Sequence, residues 1–208
     1  MEKEKNINYQ LITDEIISTL NKDKKPLLLL HACCAPCSSY VLLYLSDYFD
    51  IDILYYNPNI FPELEYEKRF LELEKLVNEN SFNSNINLVE IGYFPLRFSE
   101  IAKGLESEPE GGIRCEKCFR LRLFEAATQA KERNADFFTT TLSISPHKNA
   151  ALINSIGKEL EKEFGVKYLY SDFKKRDGYK KSIVLSKKYD LYRQDYCGCV
   201  FSKRTLDE

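Results

Sequence analysis

The residues of this sequence best suited to chemistry are seven cysteines, which fall into three tight groups. The groups comprise Cys33, Cys34 and Cys37, then Cys115 and Cys118, and finally Cys197 and Cys199. No cysteine lies outside them. Thiolates bind zinc, iron and iron–sulfur clusters, and neighbouring thiols store electrons by forming a disulfide. The pattern therefore predicts a metal centre, a redox centre or both.

The first two groups together offer four or five thiolates to one centre. Cys33 and Cys34 are adjacent, so a turn at a strand end is needed to point both sulfurs at one place. Cys115 and Cys118 have the spacing that puts both sulfurs on one side of a first helical turn, where free backbone N–H groups favour thiolates. Four such ligands suit a 4Fe-4S cluster or a zinc ion. The adjacent pair and the surplus Cys37 favour iron–sulfur, with zinc and a metal-free dithiol site as alternatives.

The third group, Cys197-Gly-Cys199, has a different spacing. A disulfide across one residue closes a small, strained ring, which makes it oxidising and easily reduced. We interpret the pair as a two-electron relay. The alternatives are two further metal ligands or two unpaired thiols.

The bulk composition indicates one globular domain spanning residues 1–208, with an N-terminal helix (1–25) appended to the core. The chain is 44% hydrophobic and 30% charged, which is ordinary for soluble proteins. No run approaches the roughly 20 apolar residues of a membrane span, and the polar N-terminus is unlike a signal peptide. We therefore expect a cytoplasmic protein, in which clustered cysteines bind metal or do redox chemistry rather than form structural disulfides.

Charge is unevenly spread along the chain. Residues 174–208 contain ten Lys/Arg and five Asp/Glu, a balance of +5, whereas the preceding part has a balance of −7. A basic C-terminal segment on an acidic body can contact a polyanion. Lys174, Lys175, Arg176, Lys180 and Lys181 are candidates for such contacts. A solvated lysine-rich surface is the alternative.

Short apolar runs alternate with helical patterns along the chain. The predicted strands are 26–30, 51–56, 85–91, 136–142 and 166–170, and the predicted helices are 9–20, one beginning near Ser38, 62–77, 115–131, 149–164 and 181–188. This alternation predicts an α/β fold, a three-layer sandwich with a mainly parallel sheet. Segments 33–37, 57–59 and 143–147 follow strands, at the edge where such sheets bind ligands.

Six segments carry a family resemblance. They are HACCAPCS, YYNPNIFPELEYEKR, EPEGGIRCEKCFRLRL, TTLSISPHKN, SDFKKRDGYKKS and YRQDYCGCVFS. In this order, over residues from about 28 to 202, they resemble epoxyqueuosine reductase of the QueH type, the cobalamin-independent family. The resemblance implies a fold similar to the adenine nucleotide α-hydrolase (HUP-like) superfamily.

The resemblance also implies cofactors and site residues. A 4Fe-4S cluster would be held by Cys33, Cys34, Cys115 and Cys118. An additional mononuclear iron would lie beside it, with Cys37 as a ligand at a position that is Asp or Cys in the family. Cys197 and Cys199 match the redox-active pair of the family.

The implied activity is reduction of the epoxide of epoxyqueuosine in tRNA to queuosine, the last step of tRNA queuosine biosynthesis. The implied partners are tRNA carrying epoxyqueuosine in its anticodon loop and an unidentified electron donor. A tRNA sulfur transferase on a related fold is a rival, but it requires a glycine-containing phosphate loop after the first strand, where this chain has CCAPCSS. A zinc-stabilised tRNA-binding module without catalysis is the rival from another class.

Overall fold

The computed structural model describes residues 7–21 and 23–202, and the ends of the predicted 1–25 and 174–208 segments lie outside these ranges. The strands are β1 (Leu27–His31), β2 (Asp50–Tyr55), β3 (Ile86–Glu90), β4 (Phe137–Thr140) and β5 (Lys167–Tyr168). The α-helices are α1 (Tyr9–Ser18), α2 (Ala35–Leu45), α3 (Glu63–Glu79), α4 (Pro95–Ala102), α5 (Ile113–Glu132), α6 (Ala150–Phe164) and α7 (Gly178–Lys188). Within the described ranges, no helix is long and apolar enough to cross a membrane.

The five strands form one parallel sheet in the order β3-β2-β1-β4-β5. The chain moves outward from β1 to β3 on one side and then returns to place β4 on the other side. The strand order therefore reverses between β1 and β4, the kind of position where open α/β sheets bind ligands beyond the carboxyl ends of their strands. The first cysteine group follows β1 directly.

Helices cover both faces of the sheet, which confirms the three-layer prediction. Leu28 and Leu30 of β1 belong to the core on one face, together with apolar residues of α2 and α3. Leu29 belongs to the core on the other face, which α5 and α6 cover. Because side chains alternate along a strand, a strand buried on both faces reads as a continuous apolar run.

The structure differs from the sequence prediction at several places, among them the shorter strand β5 and the earlier start of helix α7 at Gly178. Helix α2 begins at Ala35 rather than near Ser38, because Pro36 is well accommodated in the first turn of a helix. This places Cys37 in that first turn. Helix α4, of eight residues, was not predicted and also begins at a proline. Strand β4 ends at Thr140 and continues as a 3-10 turn over Thr141–Ile144.

Candidate metal and redox site

Three thiols lie together at the carboxyl end of β1. The sulfurs of Cys33, Cys34 and Cys37 lie within 4.8 Å of one another, and those of Cys33 and Cys34 are 3.7 Å apart. Cys34 has an extended backbone as the N-cap of α2, so the chain turns between strand and helix at this point. The turn brings adjacent cysteines to one side, as the sequence predicted.

The three thiols of this group differ in pKa. Hydrogen bonds from Cys34 and Cys37 to its thiolate lower the pKa of Cys33 well below the usual value. The same interaction with Cys33 raises the pKa of Cys34 to about 12 and raises the pKa of Cys37 well above its usual value. Without metal, the group therefore holds its negative charge on Cys33. A metal that binds all three thiolates must displace the remaining protons.

Neighbouring polar groups hold these sulfurs in place. Gln194 donates from Nε2 to the Cys34 sulfur over 2.9 Å, and Thr141 donates from Oγ1 to the Cys33 sulfur over 3.5 Å. His31 is fully buried, with its ring nitrogens 2.8 Å from Thr140 Oγ1 and 3.0 Å from the Tyr56 carbonyl oxygen. Burial, reinforced by the charge of Arg122, lowers the pKa of His31 to about 3. His31 is thus a neutral hydrogen-bonding residue at the end of β1.

The second group begins α5. Cys115 and Cys118 lie in the first two turns of this helix, and the backbone N–H of Gly111 points to the Cys115 sulfur at 3.2 Å. Cys118 is 6% exposed, and burial raises its pKa to about 12. Among the described residues, the compact group of thiols within 4.8 Å contains neither of these two sulfurs. Cys33 and Cys115 both pack against the core that α5 and α6 cover, but the two pairs do not close around a single small ion.

Arg122 lies one helical turn after Cys118 and links the groups electrostatically. Its side chain is 1% exposed, and its Nη1 donates to Asn59 Oδ1 over 2.9 Å and lies 4.0 Å from the Cys118 sulfur. Its Nε and Nη2 have no hydrogen-bond partner among the described residues. Burial disfavours the charge, but interaction with the ionised forms of Cys118, Cys197 and Cys33 raises the pKa of Arg122. Arg122 is therefore a buried cation next to the cysteine site.

The third cysteine group, Cys197 and Cys199, lies against the second, Cys115 and Cys118. Cys199 packs beside Cys118 in a small apolar cluster with Phe98 and Ala102 of α4. Burial raises the pKa of Cys199. None of the seven cysteines is joined to another in a disulfide in this structure.

A buried arginine of α3 holds this third group in place. Arg69 is 2% exposed and donates from Nη1 to the carbonyl oxygen of Cys197 over 3.1 Å. Its Nε is paired with Glu65 at 2.7 Å. The amide of Phe61 donates to the carbonyl oxygen of Gly198 over 2.9 Å. These contacts tie the tail of the chain to the loop after β2.

The sequence analysis did not single out several side chains that complete the site: Asn59, Arg69, Arg122, Lys148 and Gln194. Lys148 is half-buried; burial opposes its charge, but interaction with the ionised forms of Cys197, Cys33 and Cys37 raises its pKa. A usable signal existed for Arg122, which is four residues after Cys118 and so on the same helical face. Asn59 lies in a segment noted only for its place after a strand.

The basic segment after residue 174 is partly neutralised by acidic neighbours. Lys174 is paired with Asp172 at 2.7 Å and Lys180 with Asp177 at 3.0 Å. Arg176 makes two hydrogen bonds to the carboxylate of Asp14 in α1. Some of the predicted phosphate-binding cations therefore already have partners within the protein.

Comparison with known proteins gives one consistent family. The family model described as "Epoxyqueuosine reductase QueH" matches residues 28–205. A protein of that name from Staphylococcus epidermidis is 45% identical over 205 residues, covering 96% of this chain and 86% of the relative. One from Streptococcus pyogenes is 41% identical over 207 residues, covering 98% and 81%.

A solved structure shares the fold at much lower identity. The U34-tRNA thiolase NcsA from Methanococcus maripaludis, determined with its [4Fe-4S] cluster, superposes with a TM-score of 0.51 at 14% sequence identity. The match covers 94% of this chain and 68% of that chain. At this identity the likeness concerns the fold, and it agrees with the α/β architecture predicted from the sequence.

Proposed function

The chain belongs to the epoxyqueuosine reductase QueH family, and we propose that it reduces the epoxide of epoxyqueuosine in tRNA to queuosine. It is accordingly an oxidoreductase of tRNA queuosine processing. The observation that carries the proposal is the compact group of the Cys33, Cys34 and Cys37 sulfurs at the carboxyl edge of a parallel sheet. This edge is where folds of this kind bind their ligands.

The residues present fit an iron–sulfur cluster. A tetrahedral zinc ion, with Zn–S distances of about 2.3 Å, needs four sulfurs about 3.8 Å apart, and only three cysteines of the described chain lie within 4.8 Å. A cluster of several irons binds more widely spaced thiolates, each on a different iron, so the Cys33 and Cys34 sulfurs, 3.7 Å apart here, would separate on binding it. The unpaired nitrogens of Arg122 also suit an anionic centre. These features support a 4Fe-4S cluster held by Cys33, Cys34, Cys115 and Cys118.

We propose Cys37 as a ligand of an additional iron beside that cluster. Its sulfur lies within 4.8 Å of the sulfurs of Cys33 and Cys34, yet a four-ligand cluster has no position for a fifth thiolate. When bound, the cluster would supply single electrons and the adjacent iron would supply a Lewis acid.

The chain's own residues orient and balance this centre. Gln194 and Thr141 hydrogen-bond to the sulfurs of Cys34 and Cys33, which fixes the direction of both thiolates. Arg122 places a positive charge in a region shielded from water, where its interaction with thiolates is strong.

The Cys197–Cys199 pair matches the electron demand of the reaction. Removing the epoxide oxygen breaks two C–O bonds, forms one C=C bond and releases water, which consumes two electrons and two protons. Oxidation of two thiols to one disulfide releases two electrons and two protons. We therefore assign Cys197 and Cys199 as the store of this pair, to be reduced again by an external dithiol or electron carrier.

The proposed partner is tRNA with epoxyqueuosine in its anticodon loop. The basic residues after 174 remain candidates for phosphate contacts, reduced in number by the ion pairs of Lys174, Arg176 and Lys180. A cytoplasmic location is a prediction from the clustered thiols, which reducing compartments keep available for metal binding and redox chemistry.

An anaerobic assay tests the function. Protein reconstituted with iron and sulfide should show the broad iron–sulfur absorbance and convert epoxyqueuosine-containing tRNA to queuosine-containing tRNA. Unreconstituted protein should do neither. A colourless zinc protein that binds tRNA without conversion would instead establish a binding module. Cys37→Ala protein should keep the absorbance and lose conversion, whereas Cys37→Asp should retain some, because carboxylates also ligate iron.

A further inference from the structure

A cavity of about 310 Å³ opens beside the cysteine site. It lies between the loop after β2, helix α4 and the chain just beyond Cys199, and the residues that matter here are Asn59, Phe61, Phe98, Glu106 and Phe201. Its volume is at the lower end of the range for small-molecule sites. A single planar ring system therefore fits it better than a polymer segment.

The cavity shares residues with the proposed metal and redox site. Phe98 in its wall packs with Cys118 and Cys199. Asn59, another wall residue, accepts the hydrogen bond from Arg122. A molecule bound in the cavity is therefore one side chain away from the reacting region.

Two aromatic rings of the cavity wall are exposed, and an arginine packs against one of them. Phe61 is 55% exposed and Phe201 is 39% exposed. The Arg114 guanidinium lies over the Phe201 ring at 4.6 Å, and Arg114 is itself held by the carbonyl oxygens of Leu105, Glu106 and Glu108. Exposed, fixed rings of this kind are the platforms on which proteins stack unstacked nucleobases.

Two polar residues of the cavity wall, Asn59 and Glu106, have fixed roles as hydrogen-bond donor and acceptor. Asn59 is 1% exposed, and its Oδ1 is occupied by Arg122, so its Nδ2 is a donor. This Nδ2 has no partner among the described residues. The Glu106 carboxylate is an acceptor, and hydrogen bonds from its own amide and that of Gly104 lower its pKa. Because the Nδ2 atom of Asn59 is buried, the polar group that the cavity offers to a ligand is the exposed carboxylate of Glu106.

We propose that this cavity binds an unstacked nucleobase with a guanine-type edge, namely the 7-deazaguanine base of the modified nucleoside. The ring N–H and the exocyclic amine of such a base donate to Glu106, and its face stacks on Phe201. Adenine has no ring N–H on this edge and cannot make the paired contact. This inference rests on the proposed function, because it identifies which part of the tRNA enters the site.

Binding of anticodon stem–loop RNA by the reconstituted protein tests the inference. The probes are labelled stem–loops with guanosine or inosine at the modified position, since inosine lacks the exocyclic amine. Fluorescence anisotropy should show the guanosine probe binding about tenfold more tightly. Glu106→Gln should remove that difference, whereas Glu110→Gln, in the same loop, should preserve it.

A second pair of variants tests stacking. Phe201→Ala should weaken binding of the guanosine probe by about tenfold. Phe94→Ala is the matched control, because Phe94 is also exposed beneath an arginine but does not line the cavity. The control should leave binding unchanged.

The outcomes separate this inference from the proposed function. Equal binding of the two probes by the unaltered protein, a guanosine preference that persists in Glu106→Gln, or normal binding by Phe201→Ala overturns the cavity assignment, even if the protein forms queuosine. A Glu106-dependent guanosine preference in protein that forms no queuosine keeps the cavity assignment and overturns the proposed reaction.

Discussion

Arg69 donates a hydrogen bond to the carbonyl oxygen of Cys197 across 3.1 Å, although 128 positions separate the two residues. Arg69 is buried, and Glu65 accepts from its Nε. Replacing it in Arg69→Gln should lower the free energy of unfolding by about 1–3 kcal/mol, because hydrogen bonds to a charged group are lost in a buried place. It should also speed alkylation of Cys197 and Cys199 by iodoacetamide, measured by peptide mass spectrometry.

A surface arginine provides the control for this prediction. Arg120 is paired with Glu159, and both side chains are about half exposed. Arg120→Gln should change the free energy of unfolding by about 0–1 kcal/mol and leave the alkylation rates unaltered. Equal alkylation rates in the two variants would contradict the role given to Arg69.

Gly198 determines how closely the Cys197–Cys199 segment approaches α3 and the loop before it. Its φ is +106°, and an added Cβ would lie 2.8 Å from Ile60 Cγ1 and 3.0 Å from Arg69 Nη1. Gly198→Ala should therefore destabilise the fold by about 1–3 kcal/mol and reduce queuosine formation. Gly165→Ala is the control, because Gly165 also has a positive φ but open space around its Cβ position. A similar loss of activity in both variants would show that clash is not the cause.

The ligand assignment predicts which cysteines determine iron content. Alanine at Cys33, Cys34, Cys115 or Cys118 should remove the cluster absorbance and the activity together, since each supplies one of four thiolates. Cys199→Ala is the matched control, as a nearby thiol outside the ligand set, and should keep full iron content. Iron and sulfide analysis after reconstitution measures both. A Cys118→Ala protein with its full complement of iron would refute the assignment.

Local signals in the sequence determined most of the fold prediction. The apolar run over 26–30 predicted a strand, and Leu28 and Leu29 of β1 pack into opposite cores. The cysteine spacing likewise placed Cys115 and Cys118 at the start of a helix. These features depend on neighbouring residues, whose periodicity and turn chemistry can be read directly.

The contacts that complete the site join distant parts of the chain. Gln194 reaches Cys34 across 160 positions and Arg122 reaches Asn59 across 63. Neither pairing leaves a local pattern, because each depends on how the strand order brings separate loops to one edge of the sheet. Helix α4 was missed for a related reason, since its burial depends on packing against α5 and the cysteines there.

Arg122 should raise the reduction potential of a bound cluster. Its charge is buried and lies 4.0 Å from the Cys118 sulfur, so it stabilises the state with the additional electron. A Coulomb interaction of about 1–2 kcal/mol corresponds to roughly 50–90 mV for one electron. Arg122→Gln should therefore shift the potential to a more negative value by that amount, while Arg120→Gln should not. Redox titration followed by electron paramagnetic resonance measures the shift, and an unchanged potential would contradict this role.

The Cys197–Cys199 pair is expected to relay electrons rather than to bind the cluster. Cys197→Ser protein should keep its iron–sulfur absorbance, because the cluster ligands are untouched, but should fail under multiple turnover with a dithiol donor. Dithionite should restore part of its activity, since a strong reductant delivers electrons without the pair, and Cys199→Ser should behave in the same way because a disulfide needs both thiols. Queuosine formation over successive turnovers, with each reductant in parallel, is the measurement. Unaltered multiple turnover of either serine variant with the dithiol donor would exclude the relay and leave the pair a structural role.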